Sequence, residues 1–158
     1  MSNRKKLEQG RAEFAYQCAE KGNEVSLKKT DVFENEVYYK DSKYKSYVKS
    51  IPMMIKANGL GATFAFILSK GAKDKKSDKA GTEKNPKNAY DLIYLQTYNY
   101  LSSFDKLDLF DNTKKEDLVN VIISKDSSQY RYLTVETLAF FNWLRRFAEG
   151  LVKGGEDE

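Results

Sequence analysis

The sequence predicts an all-α protein, a single compact helical bundle of about five to seven helices spanning residues 1–158. Three observations predict it. Apolar residues recur at three- and four-residue spacings along most of the chain, with no convincing period-two alternation and no internal repeat. Only 2 prolines and 9 glycines interrupt 158 residues, which leaves room for long helices. Hydrophobic content of 41% and charged content of 32% supply one core and a solvated surface, a balance that disordered chains lack.

Residues 4–21 form the first predicted helix. Leu7, Phe14, Ala15 and Cys18 recur at helical spacing, flanked by Arg4, Lys5, Lys6 and Arg11. Gly22-Asn23 reads as its stop. Residues 23–41 scatter Val25, Leu27, Val32, Phe33, Val37, Tyr38 and Tyr39 among charges and fit either a helical extension or a loop. Residues 42–58 are the clearest amphipathic segment. At 100° per residue Tyr44, Val48, Ile51 and Ile55 fall on one narrow arc. Lys45, Lys49 and Lys56 fall within about 40° of each other, well away from it. Pro52 predicts a kink or short break, and Asn58-Gly59 a left-handed C-cap.

Leu60, Phe64, Ile67 and Leu68 restart the helical spacing and predict a central, largely buried helix. Residues 71–87 read as a lysine-rich loop, with 6 lysines against 3 acids and no apolar period. Residues 88–104 are a tyrosine-rich helix carrying Tyr90, Tyr94 and Tyr98. Thr113 to Glu116 has the form of a capping box opening a short helix that runs to Ile123. Residues 125–133 begin another turn or short helix. Thr134 reads as the N-cap of a final helix over 135–152, whose apolar arc of Phe140, Phe141, Trp143, Leu144, Phe147, Ala148 and Leu151 implies burial between neighbours. Residues 154–158 are an acidic tail.

Composition narrows the chemistry. With no histidine the chain has no His-based triad, no His-ligated zinc and no ordinary neutral-pH acid–base group. One cysteine, Cys18, allows neither an internal disulfide nor a thiolate metal site, and its place among core positions marks a buried thiol. The Asp105, Asp108 and Asp111 spacing fits a helix face as well as a metal site. No metal, cofactor or catalytic residue is expected. No apolar run approaches the ~18 residues of a membrane span, and Met1 to Lys6 leads into no apolar signal core. A soluble, intracellular protein of the cytoplasm, without a membrane partner, is expected. The net charge of +4 suits an anionic partner.

The candidate binding residues are basic. Lys45, Lys49 and Lys56 line one side of a helix and can meet a phosphate backbone, although a plain solvated face has the same pattern. Arg145 and Arg146 suit bidentate phosphate contacts, or surface ion pairs. Arg131, between Tyr130 and Tyr132, has neighbours able to stack on bases, or to pack in a core beside a snorkelling arginine. The tyrosines of residues 90–100 fit core positions better than a stacking surface.

The stretches Tyr44-Lys-Ser-Tyr-Val-Lys-Ser-Ile-Pro52 and Ala57-Asn-Gly-Leu-Gly-Ala-Thr-Phe-Ala-Phe66 resemble the small subunit of type III-B CRISPR effector (Cmr) complexes. So do Ser127-Ser-Gln-Tyr-Arg131 and Thr134-Val-Glu-Thr-Leu-Ala-Phe-Phe-Asn-Trp-Leu-Arg-Arg-Phe-Ala-Glu149, with Gln9 to Ala15 a weaker block. The order and spacing of the set carry the resemblance, since no single motif is diagnostic. It implies an all-α protein without catalytic activity, several copies of which stack beside the crRNA-bound backbone subunits. That minor filament borders the channel of the crRNA–target duplex and contacts target RNA. The partners so implied are other subunits of the complex, further copies of the chain, and RNA. The resemblance moves Lys45, Lys49, Lys56, Arg131, Arg145 and Arg146 towards RNA contact, with Arg11 a weaker candidate. The competing expectation is a helical scaffold that binds only proteins.

Overall fold

A computed structural model describes residues 3–27, 32–33, 36–37, 43–70, 89–104, 109 and 117–152. Among these, six helices and one minimal hairpin make up the fold, in keeping with the all-α expectation. They are α1 (Asn3–Leu27), α2 (Tyr44–Asn58), α3 (Leu60–Lys70), α4 (Ala89–Ser103), α5 (Leu118–Ile123) and α6 (Ser127–Leu151). Strands β1 (Val32–Phe33) and β2 (Glu36–Val37) pair antiparallel with Val32 opposite Val37. The capping box at 113–116, the loop at 71–87, the aspartates at 105–111 and the tail at 154–158 lie outside the described residues. No helix among those described is long and apolar enough to cross a membrane.

The long helix α6 packs against α1 over the largest interface of the fold and against α2 over the next. The α2 stripe is buried as its spacing predicts: Tyr44, Val48 and Ile51 are fully enclosed and Ile55 nearly so. α2 runs through Pro52 without interruption, although proline has no N–H to give to the Val48 carbonyl. It ends at Gly59, whose φ of 94° and ψ of 159° combine a positive φ with an extended ψ, a conformation essentially confined to glycine. The Gly59 amide still caps the helix by donating to the Ile55 carbonyl at 2.8 Å.

Three sequence expectations need correction. Gly22 does not stop α1, which continues to Leu27. It is glycine because the Tyr44 ring lies against it, so that a Cβ there would collide with the ring. Thr134 does not open the last helix. α6 begins at Ser127, capped by Asp126, whose side chain accepts from the Gln129 amide at 2.8 Å. The Thr134 hydroxyl donates to the Tyr130 carbonyl one turn back at 2.9 Å and so is satisfied inside the helix. α3 is buried on one face only: Leu60, Phe64 and Ile67 are enclosed, while Phe66 and Leu68 are exposed.

Two polar networks tie the core together. Tyr44, fully buried, donates to Gln96 Oε1 at 2.6 Å, and Gln96 Nε2 donates to the Cys18 carbonyl at 3.0 Å. Burial, with a contribution from Cys18, raises the Tyr44 phenol well above its ordinary pKa, against the opposing hydrogen bond to Gln96. The Cys18 thiol is buried as expected, and burial pushes it up to about 12. The second network joins α1, α4 and α6. Arg11 pairs with Glu136 at 2.7 Å and donates to the Tyr100 hydroxyl at 3.2 Å, and Tyr100 donates to Glu136 at 2.8 Å.

Candidate nucleic-acid interface

The surface that gathers the expected cations is the seam between α2 and α6. The two helices run antiparallel. Lys49 Nζ meets Glu149 at 3.0 Å near the end of α6, while the Gly61 amide, just beyond α2, donates to the Tyr130 hydroxyl at 2.8 Å near its start. Along α2, positions 45, 49, 52 and 56 recur at four- and three-residue spacings and share one side. Along α6, positions 131, 135, 138, 142, 145 and 149 do the same.

Between these stripes lies a groove of about 610 Å³. From α2 it is lined by Lys49, Pro52, Met53 and Lys56. From α6 it is lined by Val135, Leu138, Ala139, Asn142 and Arg145. Cationic and apolar side chains line it together. Met53 is 69% and Val135 62% exposed, so both present their side chains to whatever enters.

Of the expected residues, Lys49, Lys56 and Arg145 therefore come together in one groove. Lys45 lies one turn before Lys49 on the same stripe and lowers the pKa of the Glu149 carboxyl from a distance. Arg131 is exposed on the α6 stripe one turn before Val135. Arg146 is exposed on α6 but does not line the groove. Arg11 is a correction: its side chain is 12% exposed and committed to Glu136, so it offers nothing to an outside ligand. Burial works against its charge, but the hydrogen bond and attraction of Glu136 prevail, and its pKa is raised.

The aromatic neighbours of Arg131 are also spoken for. The Tyr130 hydroxyl receives the Gly61 amide, and Tyr132 donates to the Phe104 carbonyl at 3.2 Å. Tyr94 and Tyr100 are core residues, as their spacing suggests.

Among the described residues the seam contains one acid, Glu149. Its pKa is lowered first by the hydrogen bond and attraction of Lys49, then by Arg145 and Lys45, so it is anionic wherever RNA or protein could be bound. A carboxylate already held by these cations is a small-scale instance of anion binding there. Met53, Val135, Leu138 and Asn142 were not singled out from sequence. The signal was present in the 131-135-138-142-145 spacing, and breaking the helix at Thr134 hides it. Among the described residues no group of three or more Asp, Glu, Cys or His side chains could hold a metal.

The family model described as CRISPR-associated protein (Cas_Cmr5) matches residues 7–151. Among solved structures, the chain is similar to the crystal structure of a CRISPR-associated Cmr5 family protein from Thermus thermophilus. The TM-score is 0.61 at 20% identity, over 97% of this chain and 100% of that one.

Proposed function

This chain belongs to the CRISPR-associated Cmr5 family, and on that premise we propose that it is the non-catalytic small subunit of an RNA-guided type III-B ribonucleoprotein, touching target RNA through the α2/α6 seam. The observation that carries this reading is the convergence of Lys49, Lys56 and Arg145 on one groove, extended along the same stripes by Lys45 and Arg131. Five cations along the two stripes, with Glu149 the one acid of the seam among the described residues, form an anion-binding strip. Arg146, exposed nearby on α6, adds to the local positive field.

RNA phosphates would exchange with Glu149 at Lys49, a substitution of one exposed ion pair for others that releases counterions. The lack of histidine supports a role in binding rather than turnover. The remaining partners on this reading are other subunits of the complex, further copies of the chain and the crRNA–target duplex, in the cytoplasm. Protein contacts would use apolar side chains outside the groove lining: Phe66 on α3, at 38% exposure, Leu68 on α3, at 50%, and Ile123 on α5, at 60%.

The test is the assembled complex carrying Lys45→Glu, Lys49→Glu and Lys56→Glu together. Target RNA affinity is expected to fall, and the slope of log affinity against log salt to flatten by about 2, since about 0.7 is lost per single-strand phosphate contact. Photocrosslinking of target RNA should label peptides from residues 45–56 and 131–146 of the parent. Unchanged affinity with no crosslink to this subunit would sink the RNA reading in favour of a scaffold that meets proteins only.

A further inference from the structure

The cations account for phosphate, but not for the apolar side chains beside them. A surface built only to track a backbone needs no apolar lining, yet Met53, Val135 and Leu138 line the same groove as Lys49, Lys56 and Arg145. Among the described residues Met53 and Val135 are the most exposed large apolar side chains, and they line the same groove from opposite helices. The volume of about 610 Å³ lies in the range of roughly 300–1,000 Å³ typical of sites for small organic groups.

We propose that the α2/α6 groove takes an unpaired base of single-stranded RNA, set against the apolar side chains of Met53, Val135 and Leu138 while its flanking phosphates lie on Lys49, Lys56 and Arg145. This rests on the RNA reading above and specifies the form of RNA recognised at that surface. A base has an apolar, polarisable face, and a methionine thioether makes a favourable contact with such a ring. A duplex meets a protein surface with phosphates and sugars. Its bases are stacked inside, so a continuous duplex would leave the apolar lining against water. A single strand can splay a nucleotide out and satisfy the apolar and cationic lining together. The exposed Asn142 carboxamide also lines the groove and can hydrogen-bond a base edge beside the apolar contact.

The experiment uses the full chain with its methionine methyls labelled for NMR and three probes: a short oligouridine, an abasic oligomer of the same length, and a blunt RNA duplex. Oligouridine is expected to shift the Met53 methyl and to bind roughly five- to tenfold more tightly than the abasic oligomer, the worth of one modest apolar contact. Met53→Ala with Val135→Ala should weaken oligouridine to the abasic level and leave abasic binding unchanged. Both residues are largely exposed, so the variant keeps its core.

If all three probes bind equally and depend on Lys49 and Lys56, base insertion is wrong while the RNA reading stands. If none binds at the groove, and a Lys49→Glu, Lys56→Glu chain is equally inert, both fall together.

Discussion

The two sides of α6 treat the same kind of charge in opposite ways. On the side facing α1 and α4, Arg11 is closed in with Glu136 and Tyr100 at hydrogen-bond distance, and aromatic rings seal the site: Tyr100 stacks on Phe140 at 4.6 Å. On the side facing α2, Lys49 and Glu149 form a pair of similar length, 3.0 Å against 2.7 Å, but with 38% and 53% of their side chains exposed rather than 12% and 9%. Length does not separate them; solvent does. A buried pair fixes how helices meet, because separating it strands a charge in a poorly solvated place. An exposed pair can be traded for another anion at little cost. One helix therefore carries a structural arginine partner on one face and an exposed, exchangeable ion pair on the other.

The sharpest way to break this contrast is to remove one half of the buried pair. Arg11→Ala leaves Glu136 and Tyr100 in the core without their cation and should cost about 3 kcal/mol of stability, read as a lowered midpoint in denaturant unfolding. Glu136→Ala should cost a similar amount. Changing both together to well-packed apolar residues should recover much of the loss. If Arg11→Ala is as silent as a surface change, the α1 face is not the closed side.

This network was not legible in the sequence. Arg11 and Glu136 are each ordinary positions on their own helices, and only the packing of α1 on α6 makes them partners. What could be read was periodic: Tyr44, Val48, Ile51 and Ile55 lie on one arc and are the buried residues of α2. Local chemistry with two meanings was misread. Gly22 can stop a helix or admit a ring, and the approach of Tyr44 decides for the ring. Thr134 can cap a helix or bond back to the preceding turn, and Asp126 had already taken the cap. The groove needed the second of these corrections: it runs along a single α6 that the sequence reading had divided, and the basic residues were found without the apolar ones that line it with them.

Two further changes on the closed side should have middling effects. Gly22→Ala puts a methyl into the Tyr44 ring and should cost roughly 1–3 kcal/mol as an overpacked contact, with the Tyr44–Gln96 hydrogen bond the first casualty. Thermal unfolding checks the loss, and Gly150→Ala, where a Cβ meets nothing within 4 Å, is the control. Cys18 supplies a pH dependence. The unfolded thiol releases its proton near 9.0 and the folded one at about 12. Between those values the folded state holds the proton that the unfolded state has lost, so stability falls as pH rises, by up to about 1.4 kcal/mol per pH unit. The buried Tyr44 and Tyr100 phenols, both raised by burial, add to the fall at higher pH. Cys18→Ala should make the limb between pH 9 and 10 shallower, and an equally steep limb in that variant would remove the thiol as its cause.

The open side should give the smallest effect on stability and the most informative one on binding. Lys49→Ala breaks the ion pair with Glu149, yet both groups are well solvated before and after, so the unfolding midpoint should stay within error of the parent. Glu149→Gln should be equally silent in unfolding. Its effect lies elsewhere, because it removes the one carboxylate of the seam among the described residues and should tighten RNA binding by about threefold at low salt, an advantage lost near 1 M where screening acts within ~3 Å. Acid is no substitute for the mutation. Lys49, Arg145 and Lys45 hold the Glu149 pKa below its ordinary value, so lowering the pH from 7 to 5 leaves it charged and the parent's affinity unrelieved. Glu149→Gln binding RNA no better than the parent, at low salt and neutral pH, would mean that the anion accepted by this strip is not RNA.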